Sequence, residues 1–155
     1  MLFLNLTNHA LTSEQRDDAK HRFDVQEFIE LPDELKTKFG QVPCGEDEGI
    51  LWDLADEIKD WVFEKSSPKI SDWVHCQGEF SAEGLDDDLC PVRVLLQGEL
   101  GLVGRLLRLL EEAGIPCFYA TTRRESVETT QPDGSVVKTN VFKHAGFRRI
   151  LPNTF

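Results

Sequence analysis

The chain has 155 residues, 40% of them hydrophobic, and a formal net charge of -11. This composition predicts one globular domain over residues 1–155. The negative charge argues against a protein that coats duplex nucleic acid, because such proteins gain most of their affinity by neutralising phosphates. No apolar run reaches the roughly 18 residues that span a bilayer, so we expect a soluble, cytoplasmic protein without a membrane partner.

The first elements predict a β-α-β unit. Thr12, with Gln15 three residues later, has the pattern of a helix capping box, and Pro32 suits the first turn of a helix. The first helix is long enough for the crossover that two parallel strands require. The predicted order is a strand at 2–6, a helix at 13–23, a strand at 25–31 and a short helix at 32–39.

The central region continues the alternation of strands and helices. Its predicted elements are a helix at 50–65, a strand at 71–80, an acidic loop at 81–91, a strand at 92–100, a buried helix at 101–114 and a buried strand at 115–122. This alternation predicts an α/β fold, specifically a Rossmann-like open and mainly parallel sheet with helices on both faces.

The C-terminal region differs in composition and charge. Two β-branched runs, at 126–130 and 135–144, are joined by QPDG and predict a C-terminal β-hairpin. Residues 121–155 contain six Lys and Arg and three acidic residues, a local charge of +3, whereas residues 1–120 carry -14. A basic patch on an acidic body fits a small anionic ligand better than a long polymer, although solvated surface charge is an equally good interpretation.

Polar residues follow three of the predicted strands. In an open α/β sheet, ligands bind where the strands end at their carboxyl termini. Turns between strands and helices also need Asn and Thr as capping residues, so a structural role stays open. The three clusters are Thr7, Asn8 and His9; Gln97, Gly98 and Glu99; and Thr121, Thr122 and Arg123.

Individual residues in these clusters suggest specific chemistry. His9 can act as a general acid or base, because an imidazole titrates near neutrality. The glycines of G-E-L-G-L-V-G, residues 98–104, predict a turn that approaches a phosphate, although Glu99 would repel it. Lys143 and His144 should point to opposite faces of their strand. The four cysteines and the acidic residues lack metal-ligand spacing, so we expect neither a metal nor a cofactor.

Three stretches carry a resemblance to a known family: LFLNLTNHALTSEQRDDAK, VLLQGELG and YATTRRESVETTQPDGSVVKTNVFKHAGFR. With these, the chain resembles the small CRISPR-associated proteins of the Csx group, ring nucleases with a CARF-like fold. The resemblance covers residues 1–31 and 92–149, and residues 40–90 match little.

The resemblance implies a homodimer that binds a cyclic oligoadenylate, with cyclic tetra-adenylate expected, and ends type III CRISPR antiviral signalling. It implies metal-independent cleavage, in which a ribose 2'-hydroxyl attacks the neighbouring phosphate and leaves a 2',3'-cyclic phosphate. His9, Asn8 and Arg123 are then the expected catalytic residues. The expected ligand-binding residues are Thr7, Gln97, Gly98, Thr121, Thr122, Lys143 and His144.

Two other functions remain open from the sequence. A non-catalytic sensor or sponge would bind the same ring without cutting it. An interaction protein would bind a basic partner through its acidic half and have no affinity for nucleotides.

Overall fold

The computed structural model describes residues 1–45, 47–77 and 90–150. These residues form a mixed α/β fold with a five-stranded, mostly parallel sheet and four helices. In chain order the elements are β1 (Leu2–Leu6), α1 (Ser13–Phe23), β2 (Glu27–Glu30), α2 (Asp33–Gly40), α3 (Glu48–Gln77), β3 (Val92–Leu96), α4 (Leu100–Glu112), β4 (Cys117–Thr130) and β5 (Val136–Arg149).

The strand order is β2-β1-β3-β4-β5. The pairs β1–β2, β1–β3 and β3–β4 are parallel, and β5 pairs antiparallel with β4. The chain leaves β1 for one neighbour, β2, and later returns to the other side of β1 as β3. The strand order therefore reverses between β1 and β3, which is where open α/β sheets have their binding crevice.

Helices cover both faces of the sheet. One core combines Leu2, Leu4 and Leu6 of β1 with apolar side chains of α2, α3 and α4, and the other face packs Phe3 against Ala19 of α1. Because successive strand residues point to opposite faces, β1 contributes to both cores, and all five of its residues are buried. The predicted buried strand and the capping box of Thr12 and Gln15 are both confirmed.

The predicted strand at 71–80 is wrong, because α3 continues to Gln77, and residues 78–80 lie outside the described part of the chain. The buried face of α3 repeats every four residues, with Ile58, Val62 and Ser66. Pro68 is exposed, so the carbonyl that loses its hydrogen bond at this proline lies on the solvent side of the helix. Ile70, two residues past the proline, still packs against the same core. The predicted acidic loop falls mostly on residues 81–89, which are also outside the described residues.

The predicted end of the strand at 115–122 is also wrong, because β4 continues to Thr130. Its parallel pairing with β3 stops at Phe118, whereas its antiparallel pairing with β5 continues to Thr130 opposite Val136. Beyond the edge of β3, the two strands thus extend as a two-stranded ribbon. A register shift between Thr121 and Thr122 marks its start. We call residues 122–144 the β4–β5 arm.

Candidate functional site

The turn that follows β1 is held by side chains of its own segment. Asn5 is fully buried, and its amide nitrogen donates to the carbonyl of His9 at 2.7 Å. The Thr7 hydroxyl donates to Asn5 Oδ1 at 2.9 Å and accepts from the His9 backbone N–H at 3.2 Å. Because Asn5 and Thr7 fix the backbone of His9, the side chains of Asn8 and His9 are left exposed at the carboxyl edge of the sheet.

A cavity of about 390 Å³ opens at this edge. It lies where the strand order reverses, and it combines the turn after β1 with the ends of β3 and β4. Six of the ten predicted site residues line it, namely Thr7, Asn8, His9, Gln97, Gly98 and Thr122. The remaining lining residues are Ala10, Leu11, Gln15, Leu95 and Ala120.

A second cavity of about 280 Å³ adjoins the first. Asn8 and Gly98 line both cavities, and Phe39, Gly40, Val42 and Glu99 complete the second. A Cβ atom on Gly98 would lie 2.3 Å from Phe39 Cε1. The end of α2 therefore packs so closely on the turn after β3 that position 98 has no room for a side chain.

The start of α4 does not offer the phosphate site that the glycine pattern predicted. Glu99 is the N-cap, and its two carboxylate oxygens accept from the backbone N–H groups of Gly101 at 2.9 Å and Leu102 at 2.7 Å. These hydrogen bonds lower the pKa of the Glu99 carboxyl. The prediction of a phosphate-cradling turn at residues 98–104 is wrong, because an anion of the chain itself already occupies these amides. Gly104, at which a Cβ would meet nothing within 4 Å, is not a packing glycine either.

Four predicted site residues lie outside the lining of both cavities. Arg123 and Lys143 face each other across the base of the arm, and both pair with Glu125 at 3.0 Å. Thr121 donates its hydroxyl hydrogen to the carbonyl of Gly146 at 2.8 Å, next to the register shift. The side chain of His144 is only 7% exposed, and its Nε2 lies 2.8 Å from Asp18 Oδ2 on α1.

These contacts differ from the ligand-facing positions that we expected for the four residues. Arg123 and Lys143 are surface cations that a shared carboxylate holds at the base of the arm. Thr121 stabilises the irregular start of the arm, and His144 anchors β5 on α1. Lys143 and His144 do lie in different surroundings, as strand alternation predicted.

Three residues that the sequence analysis missed help to shape the site. Asn5 lies inside an apolar run. A single amide in such a run indicates a buried side chain that needs a hydrogen-bond partner. Gln15 lines the larger cavity in addition to closing the capping box of α1. Glu30 accepts from the backbone N–H of Leu11 and pairs with Arg16 and Lys36, so it fixes the loop after His9.

The lining of the larger cavity is polar but carries almost no formal charge. Among the described residues that line it there is no lysine or arginine, and His9 is the one titratable side chain. Within the described residues, no group of three or more His, Cys, Asp or Glu side chains is placed to hold a metal ion. The described helices include none that is both long and apolar enough to cross a membrane.

Together, the fold and the cavities define an α/β protein with a small-molecule-sized site at the carboxyl edge of its sheet. The chain belongs to the Uncharacterized protein MJ1673 family, whose pattern matches residues 1–85 and 81–148. Uncharacterized protein MJ1673 of Methanocaldococcus jannaschii is 26% identical to this chain over 147 residues, which are 95% of each chain. No solved structure matches the chain significantly.

Proposed function

We propose that this protein is a ring nuclease, a homodimer that binds cyclic tetra-adenylate and linearises it to switch off type III CRISPR signalling. The fold would then be Rossmann-like and CARF-like, with a C-terminal hairpin formed by β4 and β5. The resemblance to the Csx group suggests the ligand and the reaction. The observation that carries the proposal is the larger cavity, because it gathers His9, Asn8, Gln97 and Thr122 at the reversal of strand order.

The reaction makes modest demands on the protein. The ribose 2'-oxygen forms a bond to the adjacent phosphorus, and the bond from phosphorus to the 5'-oxygen breaks. One proton leaves the 2'-hydroxyl and one reaches the departing 5'-oxygen, so the step consumes no water and leaves a 2',3'-cyclic phosphate. The protein must align the two oxygens and assist the proton transfers.

The residues of the cavity suit these tasks. His9 would accept or supply the proton, an effect of about a hundredfold or more in rate. The Asn8 amide and the Thr122 hydroxyl would hold the phosphate and the ribose in line. Arg123 and Lys143 would supply positive charge from the arm instead of from the lining of the cavity.

A non-catalytic sensor or sponge for the same ring is the second candidate, and one observation favours it. Among the described residues, the His9 imidazole has no hydrogen-bond partner that would orient it. General bases are usually held by a further group. A site that only binds the ring does not need such an orienting contact.

A turnover assay distinguishes the ring nuclease from the non-catalytic sensor or sponge. The purified protein is incubated with a tenfold excess of cyclic tetra-adenylate in EDTA, and the products are followed by liquid chromatography and mass spectrometry. An enzyme forms linear products with a cyclic phosphate beyond one ring per dimer, whereas a sponge protects one ring per site and leaves the excess intact. A ring that neither binds nor changes would overturn both functions.

The histidine is tested in the same assay. His9→Ala should reduce the turnover rate by about a hundredfold or more while ring binding changes little. His21→Ala is the matched control, since His21 is an exposed histidine in the last turn of α1, at the other end of that helix from the cavity. If His9→Ala loses binding but keeps its single-turnover rate, then His9 positions the ligand and does not transfer the proton.

A further inference from the structure

The smaller of the two cavities at the sheet edge has a size that suits one ring system. Its volume is about 280 Å³, close to the lower end of the range for small-molecule sites, which begins at about 300 Å³. It adjoins the larger cavity at Asn8 and Gly98, which line both. Because the larger cavity is proposed to hold ribose and phosphate, the smaller one lies where the base of the same nucleotide would be.

The side of the smaller cavity that α2 forms is apolar. Phe39 and Gly40 are the last residues of this helix, and the half-buried Val42 follows in the next loop and packs against the core. A Cβ atom on Gly40 would lie 3.1 Å from Asn8 Cβ, so the apolar wall begins directly beside the residue that joins the two cavities. Apolar lining favours an uncharged ring over a phosphate, because a buried charge without a partner is costly.

Glu99 adds one negative charge to this apolar cavity. It is the one charged side chain among the described residues that line it, and its carboxylate is exposed. The backbone N–H groups of Gly101 and Leu102 each donate to one of its oxygens, at 2.9 and 2.7 Å. A carboxylate oxygen has two lone pairs, so each oxygen can accept one more hydrogen bond. The carboxylate is therefore both oriented by the helix and open to a donor from a ligand.

Charge separates the two cavities by the ligand group that each can accept. The lining of the larger cavity has no aspartate or glutamate among its described residues, so it does not repel a phosphate. The carboxylate of Glu99 repels a phosphate and attracts an N–H donor. On an adenine nucleotide, the exocyclic amino group is the neutral N–H donor of the base. A base with a carbonyl oxygen at the same position would instead place two acceptors against each other.

We propose that the smaller cavity is a base pocket in which the Glu99 carboxylate accepts a hydrogen bond from the exocyclic amino group of adenine. Glu99 would thus determine specificity and take no part in breaking the phosphate bond. The inference deepens the proposed function and rests on it for the identity of the base. The volume, the apolar wall and the oriented carboxylate are separate observations.

A comparison of two mononucleotides tests the pocket without the ring. Adenosine and inosine 5'-monophosphate differ in carrying an amino group or a carbonyl oxygen on the base. Each is titrated into the full nitrogen-15-labelled chain, and the amide signals of Gly98, Gly101 and Leu102 report binding at the smaller cavity. The wild-type protein should bind the adenosine nucleotide about tenfold more tightly, the lower end of what a hydrogen bond to a charged group contributes.

Glu99→Gln should reduce this preference to about threefold or less. A glutamine amide can accept from an amino group or donate to a carbonyl oxygen, so it no longer discriminates between the two bases. Glu112→Gln is the matched control, since it removes the same charge at the other end of α4 and should keep the wild-type preference. A loss of stability weakens both nucleotides alike, so the ratio of the two affinities reports the contact itself.

Other outcomes would overturn the inference. Equal affinity of the wild-type protein for the two nucleotides contradicts it, and so does a preference that Glu99→Gln leaves unchanged. Failure of both nucleotides to bind, or signal changes confined to the larger cavity, would contradict it as well. The ring assay is run separately. The expected preference with an intact ring would refute only the proposed cleavage, whereas a cleaved ring without any preference would refute only the base pocket.

Discussion

Gly98 is the residue at which the two cavities and the core meet. Phe39 is 2% exposed, and its ring edge fills the space into which a side chain at position 98 would point. A buried ring has neighbours on all sides and cannot turn away without disturbing them. The glycine at this position is therefore needed for close packing between the end of α2 and the turn after β3.

Gly98→Ala should lower the free energy of unfolding by about 1 to 3 kcal/mol, the usual cost of forcing a methyl group into a packed core. Gly104→Ala is the control, because its Cβ would meet nothing within 4 Å and the residue lies inside α4. That substitution should raise the free energy of unfolding by about 0.5 to 1 kcal/mol, since alanine favours helix over glycine. Urea denaturation measures both. Equal effects of the two substitutions would contradict the packing role of Gly98.

Single residues of the site were predictable to different degrees. Asn8 and His9 follow an apolar run, and the rule that ligands bind at strand ends was enough to place them at the cavity. The sequence could not reveal that the Thr7 hydroxyl is engaged by Asn5 and His9, because those hydrogen bonds depend on the path of the turn. For the same reason the partly buried pair of His144 with Asp18, residues far apart in the chain, gave no local signal.

At the level of elements, α4 begins with a carboxylate bound to its first amides. The Gly101 and Leu102 N–H groups lower the pKa of Glu99, so the folded state favours the ionised form. A carboxyl group whose pKa is lower in the folded state stabilises the protein at pH values above its unfolded pKa. That contribution is lost as the pH falls through the folded pKa.

Glu99→Gln should therefore reduce the free energy of unfolding at pH 7 by about 0.5 to 1 kcal/mol, the lower part of the capping range, because the side chain is exposed. The difference from the wild type should shrink as the pH is lowered below the ordinary carboxyl range. Glu112→Gln, at the other end of α4, is the control and should be close to neutral, since the loss of its exposed ion pair with Arg108 offsets the removal of a negative charge that opposes the helix dipole. Unfolding curves between pH 3 and 7 measure this. A difference that does not change with pH would contradict the role of the carboxylate.

Elements were predictable where the local pattern and the packing agree. The capping box fixed the start of α1, and the β-branched runs indicated β4 and β5. The prediction failed where contacts with residues far away in the chain determine the length of an element. The α3 helix continues past Pro68, where Ile70 still packs against the core, and β4 continues past Thr122 because β5 pairs with it. Neither the core under α3 nor the pairing with β5 can be recognised from the residues of the segment itself.

For the molecule as a whole, charge is distributed between an acidic body and a basic C-terminal region. The body, residues 1–120, carries -14, and residues 121–155 carry +3. The lining of the larger cavity adds no lysine or arginine among its described residues. Binding of a tetra-anion would thus depend on the cations at the base of the arm, and in the free protein Glu125 holds two of them.

Glu125→Gln should strengthen the binding of cyclic tetra-adenylate at low ionic strength. The hydrogen bond from Lys143, and the one from Arg123, lower the pKa of the Glu125 carboxyl, so the wild-type group is ionised at neutral pH and the substitution removes a full negative charge. The gain should be up to roughly fivefold in affinity, the range that exposed charge pairs contribute. It should disappear in high salt, because mobile ions screen exposed charges.

Glu128→Gln is the matched control, since Glu128 lies three residues farther along β4 and pairs with Lys138. Isothermal titration calorimetry at two salt concentrations compares both variants with the wild type. If Arg123 and Lys143 contact the ring, only Glu125→Gln gains affinity. Equal gains from both substitutions would mean that the ring responds to net charge alone. Unchanged affinity in both would mean that the ring is bound without the cations at the base of the arm, because releasing them from Glu125 would then have no consequence.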